Sequence, residues 1–275
     1  MTAAAEALEA ATDALAAAGV ETPRLDAELL LAAATGRDRA AIAAAPGAGV
    51  EARAGRAFGA MVRRRVRREP VAYILGHKGF RRIELAVDPR VLVPRPETEL
   101  LVEIALELRP TRVLDVGTGS GAVALAIADE LPGAEVVATD ISLEALAAAK
   151  ANSDRLGLSG RVRCAPGTLP PDEGFDLVVA NLPYVSEVEW DRLEPEIARF
   201  EPRAALVPGP TGLEAIESLL GRVALGGPRV GAIALEVGAG QAATVAGLVR
   251  RAGFERVERR ADLASIERVV VGHGR

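Results

Sequence analysis

Apolar positions in the first 70 residues recur at helical spacing. Leu8, Ala11, Leu15 and Ala18 lie three to four residues apart, and Gly19 closes that run as a C-terminal cap. Thr22-Pro23 opens a second predicted helix, with Thr22 as N-cap, Pro23 in the first position and Leu25, Leu29 and Leu30 as the buried stripe. The pattern predicts a shorter helix near 37–45 and a longer one over 52–68, ended by Pro70. Residues 79–94 change period. Ile83, Leu85 and Val87 alternate with polar neighbours, and Val91 and Val93 resume the alternation after Asp88-Pro89-Arg90, which predicts a β-hairpin.

From about residue 97 the periods take turns. Strands are predicted at 112–116, 135–140, 161–164, 176–181 and 230–236. Helices are predicted at 97–108, 121–131, 142–156 (with Ser142 as N-cap), 212–223 and 241–252. Continuous apolar cores such as Leu177-Val178-Val179-Ala180 suit a parallel sheet covered on both faces. The alternation predicts a doubly wound α/β fold. Two further strands, at 256–260 and 266–271, have only a short connection and are expected to pair antiparallel.

Composition narrows the class. A chain of 275 residues makes one large domain or two smaller ones. At this length roughly 70–75% of the unfolded surface can be buried, so no disulfide or metal staple is needed. With 49% hydrophobic and 26% charged residues, wholesale disorder is excluded. No apolar run reaches the length of a membrane span. The opening residues lack a basic segment and carry Glu6, which argues against a secretory signal. One cysteine allows no internal disulfide, and two histidines make no zinc cluster, so no metal site is expected and the expected setting is the cytoplasm. A net charge of −5 argues against a broad nucleic-acid surface.

The candidate chemistry sits in two places. In Val113-Leu114-Asp115-Val116-Gly117-Thr118-Gly119-Ser120-Gly121 an apolar strand runs into three alternating glycines and then a helix. Glycine lets the backbone turn and approach a ligand closely, and a helix start offers unpaired N–H groups. Asp140, at the end of the next strand, is placed to accept from both hydroxyls of a ribose. Together they predict an adenosine-bearing cofactor. Because Gly117-x-Gly119-x-x-Ala122 also fits a dinucleotide loop, nicotinamide and S-adenosylmethionine both stay open on this segment alone.

The second place is Asn181-Leu182-Pro183-Tyr184, at the carboxyl end of a sheet strand where ligands bind in such folds. The Asn181 side-chain oxygen and the Leu182 carbonyl can each accept an N–H of a planar amide or amino group, and Tyr184 can stack on it. That arrangement aims the nitrogen at a donor methyl, and alignment supplies much of the rate for transfer from a sulfonium.

Here the chain resembles the peptide chain release factor glutamine methyltransferases of the HemK type. The resemblance rests on Arg95-Pro96-Glu97-Thr98-Glu99, the 115–121 loop and 181–184, with Glu69-Pro70, Tyr73-Ile74-Leu75-Gly76, Glu201-Pro202-Arg203 and Ala205-Leu206 in support. It implies a helical N-terminal domain over 1–76, a hairpin linker over 77–94, and a seven-stranded Rossmann-like methyltransferase domain over 95–275; the helical half is read as a bundle that positions a partner, with one that merely covers a side of the second domain as the alternative. It implies S-adenosylmethionine as donor and, as acceptor, the Gly-Gly-Gln glutamine of class I release factors, with no stable nucleic-acid partner. It implies that Gly117, Thr118, Gly119, Ser120, Gly121, Asp140 and Thr168 hold the cofactor. Asn181 would touch cofactor and substrate, and Leu182, Pro183 and Tyr184 would complete a catalytic clamp. The family has two prolines after the asparagine; here the first is Leu182. An acid and an aromatic near the adenine are replaced by Pro166-Gly167-Thr168-Leu169, so adenine contacts there are expected to be apolar or through the backbone.

Other features read as structural. The basic run Arg63-Arg64-Arg65, Arg67-Arg68 is expected to be a solvated helix face, with docking to an acidic partner or RNA as the alternative. His77 is expected to be a structural or surface residue rather than a catalytic base, Cys164 a small core filler, and Trp190 a packing residue, with a place at the border of the substrate cleft as its alternative. The competing functions are an amino-group methyltransferase acting on nucleic acid, an NAD(P)-linked oxidoreductase, which leaves 181–184 without a role, and a non-catalytic cofactor-binding module.

Overall fold

The computed structural model describes residues 2–170, 173–226 and 229–274. These form two compact units: Met1–Gly76 with Glu194–Phe200, and His77–Leu193 with Glu201–Arg275. That division differs from the expected 1–76, 77–94 and 95–275. The hairpin belongs to the second unit, and seven residues from late in the chain belong to the first.

The first unit packs helices Ala4–Ala17, Pro23–Thr35, Arg39–Ala44, Ala52–Val66 and Val71–Leu75 around Leu8, Leu15, Leu30, Leu31, Ile42, Phe58 and Ile74. The buried stripe of Pro23–Thr35 is rotated from the expected one: Leu25 is 39% exposed, while Asp26, Ala27, Leu30 and Leu31 are buried. The rotated face carries Ala27, Leu30 and Leu31 into the core and buries an ion pair beside them. Arg65, 6% exposed, places Nε 2.7 Å from Asp26 Oδ2 and Nη2 2.7 Å from Glu196 Oε1. Arg68 reaches Glu196 Oε2 at 2.6 Å. Two arginines thus hold the short helix Pro195–Phe200 in this unit. The basic run is therefore neither a fully solvated face nor a free docking patch, since Arg64 also pairs with Glu69.

Burial opposes ionisation of Glu196, but the Arg68 and Arg65 hydrogen bonds outweigh it and hold the carboxyl below its ordinary 4.5. A depressed acid stabilises the fold at pH above its unfolded value and loses that contribution as pH falls through the folded one. Arg65→Lys cannot span both carboxylates. It is expected to cost about 1–3 kcal/mol in urea unfolding and to flatten the loss of stability below about pH 4.5.

In the second unit, β1 (His77–Phe80) and β2 (Ile83–Ala86) form an antiparallel hairpin that turns at Arg81, whose φ is +52. The predicted hairpin turn at 88–90 is thus displaced: Ile83–Ala86 is the second strand, and 91–93 form none. The Val93 N–H donates instead to Glu201 Oε2 at 3.0 Å, and Pro89 and Pro94 have no N–H for a ladder. The large sheet contains β3 (Arg112–Val116), β4 (Glu135–Asp140), β5 (Val162–Pro166), β6 (Phe175–Ala180), β7 (Val230–Glu236), β8 (Arg256–Ala261) and β9 (Glu267–His273), in spatial order β5-β4-β3-β6-β7-β9-β8. The ladders from β5 to β7 are parallel, and β9 runs antiparallel to both its neighbours. The result is the predicted Rossmann-like sheet of seven strands. The strand order reverses between β3 and β6, so the ends of β3, β4 and β6 converge at one switch point.

Asn152, fully buried in helix Leu143–Arg155, fastens the hairpin to this point. Its Oδ1 accepts from the Ala86 N–H at 2.8 Å, while Nδ2 donates to the carbonyls of Ala86 and Ser120 at 3.0 and 2.9 Å.

Candidate active site

The loop after β3 is shaped by its own polar groups. Gly117, Gly119 and Gly121 have φ of +75, +56 and +85, a region that L side chains rarely adopt. Helix Ala122–Glu130 begins at Gly121, which has no side chain to cap it. Asp115 from β3 takes that role: Oδ2 accepts from the Ala124 N–H at 3.1 Å and from the Thr118 hydroxyl at 2.7 Å. Burial pushes the Asp115 carboxyl up to about 6, with Thr118 and Ala124 pulling the other way and the Asp140 charge adding to the rise.

Asp140 ends β4 with its carboxylate across the loop. Oδ2 accepts from the Gly119 N–H at 3.0 Å and Oδ1 from the Ser142 N–H at 2.9 Å. Each oxygen keeps a lone pair for a further donor. The turn after β6 lies against the same loop: a Cβ on Gly117 would sit 3.0 Å from Leu182 Cδ2 and 3.7 Å from the Asn181 carbonyl oxygen. Asn181 Nδ2 donates to Thr98 Oγ1 at 3.0 Å, which leaves Oδ1 as the acceptor of that amide. Two of the quoted motifs meet beside it, where Arg95 pairs with Glu201.

A cavity of about 600 Å³ opens between the loop and the turn. Gly117, Thr118, Gly119, Ser120, Asp140, Thr168, Asn181, Leu182 and Pro183 all line it. Two expected site residues are not in its lining. Gly121 acts in packing: a Cβ there would stand 2.8 Å from Leu125 Cδ1 and 3.4 Å from Ala149 Cα. Gly121→Ala is therefore expected to lower thermal stability by about 1–3 kcal/mol, measured by calorimetry on the unliganded protein. Tyr184 turns its hydroxyl to Glu236 Oε1 at 3.2 Å, its carbonyl accepts from Gln241 Nε2 at 2.9 Å, and burial pushes its phenol well up. Thr168 is held by Arg222 through its hydroxyl and by Thr139 through its carbonyl.

Residues the sequence reading passed over also face the cavity. Ile141, directly after Asp140, lines it with a side chain 78% exposed, and Leu219 adds a second apolar surface. An isoleucine between a strand-ending acid and an N-cap serine was the available signal. His77 pairs with Glu84 in the hairpin, and the Arg203 guanidinium lies 5.4 Å over the Trp190 ring. Cys164 is half-buried in β5, where burial pushes its thiol up. Among the described residues no group of histidines, cysteines and acids could hold a metal ion.

Residues 6–76 match the PrmC N-terminal domain family, and residues 113–200 match a methyltransferase domain family. The chain is 43% identical over 263 residues to the release factor glutamine methyltransferase of Bordetella pertussis, covering 91% of this chain and 95% of that protein. It is 42% identical to the protein of that name from Rhodopirellula baltica, over 96% and 93% of the two chains. The chain belongs to the release factor glutamine methyltransferase family. Among solved structures, the catalytic domain of human METTL16 superposes with a TM-score of 0.59 at 15% identity, over 69% of this chain and 74% of that one, which speaks to the fold alone. Family membership places the methyltransferase reading of the loop ahead of the nicotinamide one. Among the described residues no helix is long and apolar enough to cross a membrane.

Proposed function

We propose that this release factor glutamine methyltransferase moves a methyl group from S-adenosylmethionine to the side-chain amide nitrogen of the Gly-Gly-Gln glutamine in class I peptide chain release factors. The observation that carries the reading is the single cavity lined by both the glycine loop and the Asn181–Pro183 turn.

The residues present fit the donor. Gly119 has open space where a Cβ would be, so the backbone there is accessible to a ligand. Asp140 would take the ribose hydroxyls, with Gly117, Thr118 and Ser120 along the chain and Ile141 and Thr168 beside the base. When bound, S-adenosylmethionine supplies an electrophilic methyl and a neutral leaving group. The protein has to hold and aim a weak nucleophile, because an amide lone pair is delocalised into its carbonyl. Asn181 Oδ1 and the Leu182 carbonyl each accept one N–H of that amide. Such bonds favour reaction most if they strengthen as the nitrogen becomes tetrahedral. Leu182 packs against the core and against Gly117, so a side-chain contact helps set the turn that a second proline sets elsewhere in the family. Tyr184 braces the turn through Glu236 and Gln241. The helical unit Met1–Gly76 with Glu194–Phe200 positions the release factor, and the acceptor places the reaction in the cytoplasm.

The test is methyl-labelled S-adenosylmethionine offered with a purified class I release factor or with duplex DNA. Label is expected in the release factor alone, and it should vanish when the Gly-Gly-Gln glutamine is changed. Label in DNA would reverse the assignment.

A further inference from the structure

We propose that Thr98 is a positioning residue for Asn181, and that Thr98 with Glu236 fixes which end of the Asn181 amide faces the acceptor. This rests on the assignment of Asn181 as the group that accepts the substrate N–H. An asparagine amide has nearly the same shape in its two orientations, but one presents an acceptor and the other two donors. The clamp works only with Oδ1 toward the incoming N–H. Something other than the acceptor must therefore choose the orientation, and Thr98 lies beside Asn181 in the lining of the same cavity.

Thr98, 4% exposed at the end of the short helix Pro96–Thr98, accepts from Asn181 Nδ2 at 3.0 Å. A hydroxyl alone does not settle the choice, since it can donate to an oxygen as readily as it accepts from a nitrogen. Its single proton has to be committed elsewhere. Glu236 meets that need. Ala180 pairs with Leu235 in the β6–β7 ladder, so Asn181 and Glu236 are adjacent strand ends. Glu236 is 1% exposed and close enough to the Thr98 hydroxyl for that contact to favour its charged form, and its Oε2 has no hydrogen-bond partner among the described residues. A buried carboxylate oxygen without a donor is costly. A Thr98 proton directed to Glu236 lowers that cost and leaves Thr98 only its lone pairs to offer Asn181. The same carboxylate accepts the Tyr184 hydroxyl on Oε1, so both polar side chains of the turn answer to one buried acid.

The acid also gives the device a pH signature. Burial raises the Glu236 carboxyl to about 7; the Glu97 charge adds to the rise, while Thr98, Tyr184 and Arg268 oppose it. Once protonated, Glu236 can donate to Thr98, whose own proton is then free to turn to Asn181 Oδ1. The orientation preference is lost from the acid side.

The experiment measures kcat, acceptor KM and donor affinity for wild type, Thr98→Val, Thr98→Ser, Glu236→Gln and Asn181→Ala, with the pH–rate profile for the first four. Thr98→Val is expected to lower kcat about 10²-fold with donor affinity unchanged, the scale on which a misoriented group costs rate. Thr98→Ser should restore most of it, and Glu236→Gln should remove the acid limb near pH 7. A Thr98→Val enzyme with wild-type kcat, alongside an inactive Asn181→Ala enzyme, overturns this proposal and leaves the clamp standing. An active Asn181→Ala enzyme overturns the clamp itself. Should Thr98→Val fail to fold, Glu236→Gln decides: an acid limb unchanged from wild type refutes the relay.

Discussion

Asn181→Ala is expected to lower methyl transfer about 10²–10³-fold, the range seen when one preorganised polar contact to a developing charge is removed. The reasoning starts from the nucleophile. A carboxamide nitrogen attacks poorly unless it is held in line with the donor methyl and its hydrogens are engaged. Asn181 Oδ1 is one of two acceptors the turn offers, and its orientation is set by the bond from Nδ2 to Thr98. Truncation to alanine removes the acceptor and leaves Thr98 without that donor, while β6 and its parallel ladder to β7 stay intact. The loss should therefore appear in kcat, with donor affinity within a few-fold of wild type and little change in unfolding temperature. Single-turnover transfer to a release factor, with donor binding measured by calorimetry on the same protein, separates these quantities. Near-normal turnover would contradict the clamp.

Much of this site was legible because its requirements are local. Three glycines between a strand and a helix report a backbone that must adopt positive φ, and all three do. Ser142 before an apolar run reads as an N-cap, and its hydroxyl accepts from the Ala145 N–H. An acid at a strand end singled out Asp140, which lines the cavity. The same rule applied to Val230–Glu236 would have singled out Glu236, another carboxylate closing an apolar strand at the switch point. Thr98 was written in a quoted motif, but its role depends on Asn181, 83 positions later, and no periodicity encodes that distance.

The remaining misreadings have the same origin. The alternation of Val91 and Val93 is real and both side chains are buried, yet flanking prolines and the demand of Glu201 for the Val93 N–H keep the segment out of a sheet. Asp26 looks like a solvent residue until Arg65, 39 positions away, turns it inward. Helix Pro195–Phe200 has too few residues to show a period, and what places it is the pair Arg65 and Arg68. Long-range polar pairing overrode local pattern at Asp26 and supplied what local pattern could not at Pro195–Phe200.

Asp140→Ala is the second change with a large expected effect, and it should act on the donor rather than the acceptor. The carboxylate already receives the Gly119 and Ser142 N–H groups, which hold it at the tip of β4 in a fixed attitude toward the cavity. A group so anchored loses little entropy when it accepts two ribose hydroxyls. Hydrogen bonds to a charged acceptor contribute about 1.5–3 kcal/mol each, so losing two is expected to weaken donor binding by about 3–6 kcal/mol. Because the substitution also frees the Gly119 N–H, part of that loss comes from a loosened loop. Asp140→Asn divides the two effects: its side-chain oxygen can still receive one backbone N–H, but it offers no charge and one acceptor fewer. Calorimetric titration with S-adenosylhomocysteine, which lacks the reactive methyl, should then rank wild type above Asn above Ala. Equal affinity in all three would mean that the ribose rests elsewhere and that Asp140 only shapes the glycine loop.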